Sequence, residues 1–592
     1  MSRPITNAAD LDQAAAEGRS RLYPGRLKIV IGSASCGIAM GAREVEAAAV
    51  ECVKKLKLDA VVCRTGCIGL CAQEPLVDLL LPNGPRVSYC QMTPTTVRAL
   101  LEAYAGGKLR PDMALARFAR EECLSTQEVH EFPPGPAEVA KLPEWSQQEF
   151  FRRQTKVILR NCGYMDPMSL DEAIARGAYR GAVRAITQLK PEEVIDDVLR
   201  SGLRGRGGAA FPTGQKWRFA RQAKGDVKYV VCNADEGAPG SYMDRTVLEG
   251  DPHAILEGLL IGSYAIGARE GFIYVRSEYP LAIVTLQQAI ADAEARGLLG
   301  ENILGTGWSF RVQIRRGAGA YVCGEETALI ESIEGHAGEP RIRPPFPVTA
   351  GVQGQPTVVN NVKTWASVAP IITRGGSWYA AIGSKGTPGT TVFSLEGAVK
   401  NRGLVEVPLG TTLREVIYDI GGGVAGDAAL KAVQPGGPSA GCLPPSLLDL
   451  RLDAADKEGE TVGMGTGGII IMDSSACMVD VARFLIDFFV EESCGKCVPC
   501  REGTKQMLHI LTRICEGRGK EDDLPLLERL AKTVKLASFC GLGAVAPDPV
   551  LAALKHFRGE FEAHIRDKKC PAGACHRVAR PAKEQAKELV RG

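Results

Sequence analysis

The sequence predicts an α/β protein of several domains, and three observations predict it. Its 592 residues exceed what one hydrophobic core supports. From residue 156, short β-branched runs alternate with helical stretches, as in "VKYVVCN", "HAILEGLLIGSYAIGA", "EGFIYVRSE" and "PLAIVTLQQAIADAEARG". Such alternation marks a mostly parallel sheet with helical crossovers. From residue 476 the pattern turns helical, through "CMVDVARFLIDFFVEES", "GTKQMLHILTRIC", "DLPLLERLAKTVKLAS" and "DPVLAALKHFRGEFEAHI".

The elements follow in order. "RLKIVI" reads as a buried strand, "AREVEAAAVECVKKLKL" as a helix and "DAVVC" as a second strand. "LVDLLLPNGPRVSY" adds two strands around a Pro-Asn-Gly turn. Residues 23–108 are therefore expected to form a small α/β domain, and 109–155, with scattered proline and charge, a surface linker. The sheet domain spans 156–387 and opens with a Ser169-x-x-Glu172 capping box. Residues 388–472 are β-rich with one helix, "TLREVIYDIGG"; 473–562 are helical, and 563–592 form a tail.

Bulk properties narrow the function. A net charge of +2 gives no electrostatic footprint for nucleic acid or an anionic membrane. No apolar run reaches the roughly 18 residues that span a bilayer, and the polar N-terminus lacks a secretory core. A cytoplasmic protein is expected. In a reducing compartment, 19 cysteines read as metal or redox sites rather than disulfides.

"ESCGKCVPCREG" spaces Cys494, Cys497 and Cys500 at two-residue intervals, and "KLASFCGLG" supplies Cys540 at the end of a later helix. Three clustered thiolates plus one distant one suit a 4Fe-4S cube. Zinc is the alternative, though all-cysteine zinc sites more often use two separated Cys-x-x-Cys pairs. "SGLRGRGGAAFPTGQKW" is neither a Walker A loop nor a dinucleotide fingerprint directly after a strand. Its glycines with Lys216 close behind are what a flavin or nucleotide phosphate needs, and a flexible loop is the plain alternative. Two polar sets favour a ligand. Asn233, Asp235 and Glu236 follow the strand "KYVV", at the strand end where open α/β sheets bind ligands. "GAGAYVCGEETAL" brings Tyr321, Gly324, Glu325 and Glu326, and "VVNNVKT" brings Asn360 and Asn361.

Together these stretches resemble the NADH-binding flavoprotein subunit of respiratory complex I and its relatives in NAD-linked hydrogenases and formate dehydrogenases. "GLRGRGGAAFPTG", "CNADEGAPGS", "GAGAYVCGEETAL", "RPPFP", "NNVKT", "ESCGKCVPCREGT" and "SFCGLG" occur in family order across roughly residues 156 to 570. The resemblance implies a Rossmann-like FMN/NADH domain, a β-grasp module at 388–472 and a helical bundle carrying the 4Fe-4S cluster. Gly205, Gly207, Lys216, Asn233 and Asp235 match FMN-contacting positions, as do Tyr321, Gly324, Asn360, Asn361 and Thr364. Glu236 and Glu325 join the FMN set as strand-end and loop carboxylates. Phe211, Phe219, Glu326 and Phe346 match NADH-contacting positions. By this resemblance NADH gives hydride to FMN, and single electrons leave through the cluster; the cofactors carry the chemistry and no side chain serves as a base. Two departures bear on NADH affinity and on NAD against NADP. Ala238 stands where many members are acidic, and Arg343 stands where complex I has lysine.

The first domain resembles the thioredoxin-like 2Fe-2S ferredoxin module fused ahead of this flavoprotein in some hydrogenases. "SCGIAMGA" and "RTGCIGLC" give Cys36, Cys67 and Cys71, but the family's first ligand position holds Ile31. Cys63, closing the strand expected beside Ile31, is the substitute ligand proposed from the sequence, with Cys90 second. In "HIRDKKCPAGACHR", His564, Cys570 and Cys575 pair with Cys477 as they do in hydrogenase relatives, a structural zinc pattern.

The sequence thus implies an NADH-oxidising or NAD-reducing (diaphorase) subunit with FMN, NAD(H), a 4Fe-4S cluster, a 2Fe-2S cluster and zinc. Its partners would be other iron-sulfur and catalytic subunits, electron-bifurcating complexes among them, with no nucleic acid and no membrane span. The alternatives are a flavin and iron-sulfur relay with weakened or lost NAD binding, and a scaffold with structural zinc.

Overall fold

The computed structural model describes residues 3–426, 428–454 and 459–575; the last part of the expected tail, 576–592, lies outside the described residues. Its buried apolar residues gather into several cores rather than one.

The first sheet has five strands, in the order Ala60–Thr65, Leu27–Gly32, Val77–Leu80, Arg86–Tyr89, Ala114–Phe118. The first two are parallel, with Val30 opposite Cys63 and Ile31 opposite Arg64. Helices Ala42–Leu56 and Pro94–Ala105 bury Val45, Ala49, Val97 and Leu101 against it. The segment 109–155 is more than a linker. It supplies the fifth strand, pairing Phe118 with Arg86, and it buries Trp145, Phe150 and Phe151. Its prolines and charges mask this in sequence; the apolar residues between them decide the packing.

A helix ahead of the first domain, Ala8–Leu22, packs on the sheet domain instead, with Leu11, Ala15 and Leu22 in that domain's core. Gly18 permits the approach, since a Cβ there would lie 2.0 Å from the Asp171 carbonyl oxygen.

The second sheet runs Gly300–Ile303, Trp308–Gly317, Glu270–Arg276, Tyr229–Ala234, Thr357–Asn361. Its strands are parallel apart from Gly300–Ile303, as the alternating sequence pattern requires. Helix Pro252–Ile266 is almost wholly buried behind it. Register sets Asn361 opposite Asn233, so both polar sets emerge at the same sheet edge.

The third sheet has the order Gly403–Pro408, Thr390–Gly397, Gly468–Asp473, Leu430–Pro435. Its expected helix is a turn of π-helix, Glu415–Ile420. The C-terminal helices Met478–Glu491, Val498–Cys515, Asp523–Ala537 and Asp548–His556 enclose Ile486, Met507, Leu511, Leu527 and Val550. Among the described residues no helix is long and apolar enough to cross a membrane.

Candidate functional site

The glycine loop lies between helices Pro191–Arg200 and Thr213–Gln222 and is anchored from behind. Arg206 is 1% exposed. Its Nε donates to the Thr390 carbonyl at 3.0 Å, and its backbone N–H donates to Thr364 Oγ1 at 2.9 Å. Thr364 therefore holds the loop rather than lining the space in front of it, and Gly205 and Gly207 are left facing a cleft of about 560 Å³. At Gly207 a Cβ would come within 3.0 Å of the Asn361 Cβ.

The strand ends form the cleft floor. Asn233 donates to the Gly324 carbonyl at 2.9 Å and accepts from the Asp235 N–H at 3.0 Å. Asn361 caps helix Val362–Arg374 by accepting from the Lys363 N–H at 2.9 Å. Asn360 Nδ2 and Thr213 Oγ1 are buried without hydrogen-bond partners, and both residues line the cleft. Unpartnered buried polar atoms cost about 1–3 kcal/mol each, so this wall is shaped for a polar ligand. Both Asp235 carboxylate oxygens also lack hydrogen-bond partners. Burial pushes this carboxyl up to about 7, against the pull of Arg276.

The rim is charged and aromatic. Lys216 Nζ lies 2.8 Å from Glu326 Oε2 and donates to the Val359 carbonyl at 2.9 Å. Arg343 lies 3.6 Å from Glu325 and 3.5 Å from Glu326. Glu325 also caps helix Glu326–Ile333, accepting from the Thr327 and Ala328 N–H groups. Phe211, Phe219 and Phe346 remain 45%, 44% and 52% exposed around the opening, which leaves apolar faces free to stack on a planar ring.

Four predicted residues, Asp235, Thr364, Glu236 and Tyr321, stand away from the cleft lining. Glu236 accepts from the Asp244 and Arg245 N–H groups at 3.0 and 3.1 Å, so it braces helix Met243–Gly250. Tyr321 packs on Phe488 with ring centroids 5.2 Å apart, and its N–H donates to Glu492 at 2.7 Å. That contact ties the loop before helix Glu326–Ile333 to the helical domain. Ala238 is buried against Gly437 of the third sheet's module, outside the cleft lining.

The thiols of the helical domain lie beside this floor. Cys497 and Cys540 occupy the N-cap positions of helices Val498–Cys515 and Gly541–Val545, and Cys500 lies in the first turn. A helix N-terminus favours thiolate. Burial pushes the Cys500 thiol up, and Cys497, Cys540 and Cys494 push it further, so the four act on one another. All four pack against one core with Val231 and Val359 of the second sheet. Gly541, next to Cys540, lines the glycine-loop cleft itself. Sequence reading alone does not single out Gly541, although the "CGLG" stretch that contains it is its only signal. The donor set of four thiols, three at helix starts and Cys494 in the loop before them, fits a 4Fe-4S cluster, and the cleft's glycine bed, unpartnered polar atoms and cations fit FMN.

Two groups of ligand atoms that include thiols lie elsewhere among the described residues. Cys477, His564, Cys570 and Cys575 are all buried, with ligand atoms within 4.8 Å of one another. His564 Nδ1 is 2.7 Å from the Glu560 carbonyl oxygen, which directs Nε2 to Cys477 Sγ at 3.6 Å. In the first domain Cys36, Cys67 and Cys71 gather in the same way, but Cys63 does not join them. Its register partner is Val30, so its side chain leaves the sheet on the face opposite Ile31, with Sγ 3.7 Å from the Ile29 carbonyl oxygen. Cys90 is also outside the group.

Comparison with known proteins agrees with this geometry. Residues 198–370 match the Nuo51 FMN-binding domain, 480–564 the NADH-ubiquinone oxidoreductase-F iron-sulfur binding region, and 392–443 the SLBB domain. The NADP-reducing hydrogenase subunit HndC of Solidesulfovibrio fructosivorans is 52% identical over 424 residues, 72% of this chain and 86% of that one. An NADH-quinone oxidoreductase F-type subunit of Rhizobium meliloti is 46% identical over 70% of this chain and 99% of its own length. A crystal structure of an NAD+-reducing NiFe-hydrogenase in the H2-reduced state superposes with a TM-score of 0.62 at 28% identity, covering 94% of this chain and 88% of that one. Cleft, thiol set and matched regions coincide: the chain belongs to the NADH-quinone oxidoreductase F family, the FMN- and 4Fe-4S-carrying flavoprotein subunits with counterparts in NAD(P)-linked hydrogenases.

Proposed function

We propose that the cleft receives NADH against FMN and that electrons leave through Cys494, Cys497, Cys500 and Cys540 to partner subunits. One observation carries this reading. Gly541, adjoining a cluster ligand, lines the same cleft as Gly205 and Gly207, so both cofactor sites share a wall. FMN, when bound, supplies the exchange between a two-electron hydride and single electrons.

The chain's own residues bind and orient. Gly205 and Gly207 let backbone approach the flavin. Asn360 offers an unpartnered side-chain donor at the strand ends, Asn233 and Asn361 brace the Gly324 carbonyl and Asp244 beside it, and Thr364 and Glu236 act from behind, on the loop and on a helix start. Phe211, Phe219 and Phe346 offer stacking faces to the nicotinamide dinucleotide, while Lys216 and Arg343 balance Glu325 and Glu326. Ala238 is not among the cleft-lining residues, which favours retained NADH binding over a vestigial pocket. Anaerobic NADH should bleach the flavin absorbance of the purified chain; an unchanged spectrum refutes the reading.

The same proposal covers the remaining parts. The first sheet reads as a thioredoxin-like domain whose Cys36, Cys67 and Cys71 hold a 2Fe-2S cluster, and the 388–472 module reads as β-grasp. Cys477, His564, Cys570 and Cys575 hold zinc and clamp the C-terminal segment to helix Met478–Glu491. Cys570→Ser should release that zinc, and full retention would exclude this ligand set. A soluble cytoplasmic complex with a hydrogenase, formate dehydrogenase or acyl-CoA reductase module suits all of these features.

A further inference from the structure

The loop that carries Cys494 is tied to two stretches of the cleft lining. Glu492, two residues before the cysteine, accepts the Tyr321 N–H at 2.7 Å and so holds the turn that presents Gly324, Glu325 and Glu326. Lys496, two residues after it, reaches a second stretch. Its Nζ donates to the Pro340 carbonyl at 2.9 Å and lies 3.5 Å from Glu339. The same ammonium stands 5.7 Å from the Phe539 ring centroid, and the Phe539 N–H donates to Cys497 Sγ at 3.5 Å. One side chain therefore bridges the thiol loops and the segment that leads to the cleft rim.

That segment depends on its ends. Pro340 and Pro347 are buried, whereas every residue from 342 to 346 is exposed. The span contains no helix or strand, yet Arg343 and Phe346 on it line the cleft. Its far end is fixed where the Pro347 carbonyl accepts the Thr357 N–H at 2.8 Å, on strand Thr357–Asn361. Its near end has two ties. Arg341 fastens it within the sheet domain, its N–H donating to Thr327 Oγ1 at 2.9 Å and its guanidinium pairing with Glu331 and Glu334. Lys496 fastens it from the helical domain. Irregular, exposed backbone keeps one shape only as far as its ends are held, and a displaced contact residue loses its ligand.

We propose that Lys496 is a positioning residue for the dinucleotide: acting from the thiol loop through the Pro340 carbonyl, it holds the span 342–346 so that Arg343 and Phe346 meet the ligand. This rests on the reading that the cleft takes a nicotinamide dinucleotide. The competing account is that Arg341 alone fixes the span and Lys496 serves only the thiol loop.

The test uses the full chain loaded with FMN and its 4Fe-4S cluster. Calorimetry reads the Kd for NAD+, and steady-state kinetics with ferricyanide as acceptor read KM and kcat for NADH. Loss of one charge-assisted hydrogen bond at the base of the span should raise Kd and KM about fivefold in Lys496→Met. Its kcat, bound FMN and dithionite-reduced 4Fe-4S EPR signal should be retained. Lys496→Arg, which keeps a charged donor, should stay near the unaltered chain. A Kd and KM in Lys496→Met equal to those of the unaltered chain overturn the proposal and leave the span to Arg341. Loss of the 4Fe-4S signal in Lys496→Met also overturns it, since the residue then supports the cluster itself. An unaltered chain that binds no NAD+ instead overturns the dinucleotide reading of the cleft, and Lys496's role with it.

Discussion

Gly207 occupies a position where a Cβ would be tight against its neighbour. Its absent Cβ would press on Asn361, which caps one helix and bonds to Asp244 of another. A Gly207→Ala chain must push the loop or Asn361 aside by a few tenths of an ångström. We expect FMN affinity to fall about tenfold or more, about 1.4 kcal/mol, with the 4Fe-4S signal unchanged; flavin titration of the apoprotein measures it. The glycine loop, the strand-end asparagines and the four cluster cysteines were legible in sequence, because each is local in spacing or sits at a strand end. Gly541 was not, because it acquires its meaning from the glycine loop, distant in sequence.

At the scale of elements, one buried carboxylate joins two of them. Glu406, on strand Gly403–Pro408, is fully buried and accepts from the N–H groups of Val157, Ile158 and Leu159 at 2.8–3.1 Å. It also accepts from the Thr390 hydroxyl. These contacts fix the start of the sheet domain onto the third sheet's module. Removing the acceptor strands three buried donors at about 1 kcal/mol or more each. Glu406→Ala should therefore cost on the order of 3 kcal/mol, read as a lowered denaturation midpoint; a midpoint unchanged from the parent chain refutes the role. The strand alternation of the sheet domain and the four long C-terminal helices were readable from periodicity. The strand Ala114–Phe118 and the attachment of helix Ala8–Leu22 were not, since neither segment carries a period that announces its partner. The Cys63 expectation failed for a related reason. Parallel register, invisible in one strand's sequence, set it opposite Val30 rather than Ile31.

Across the whole molecule, buried charge fastens the first domain to the flavin domain. Arg86 bonds to Asp78, Glu121 and the Gly163 carbonyl, and Arg176 reaches Glu121 from the other side. Such a network, desolvated on every side, fixes relative position because losing one partner leaves an uncompensated charge. The helical domain is held in turn by Tyr321 and Glu492 beside the cleft. The arrangement therefore keeps the glycine-loop cleft next to the Cys494, Cys497, Cys500 and Cys540 group, as the proposed transfer from flavin to cluster requires. The most direct test is anaerobic NADH reduction of the unaltered chain and of Cys540→Ser, followed by optical absorbance and low-temperature EPR. The account predicts flavin bleaching in both, with a reduced 4Fe-4S signal in the unaltered chain that is lost or changed in Cys540→Ser. Flavin that NADH leaves oxidised, or an identical 4Fe-4S signal in both chains, would contradict it.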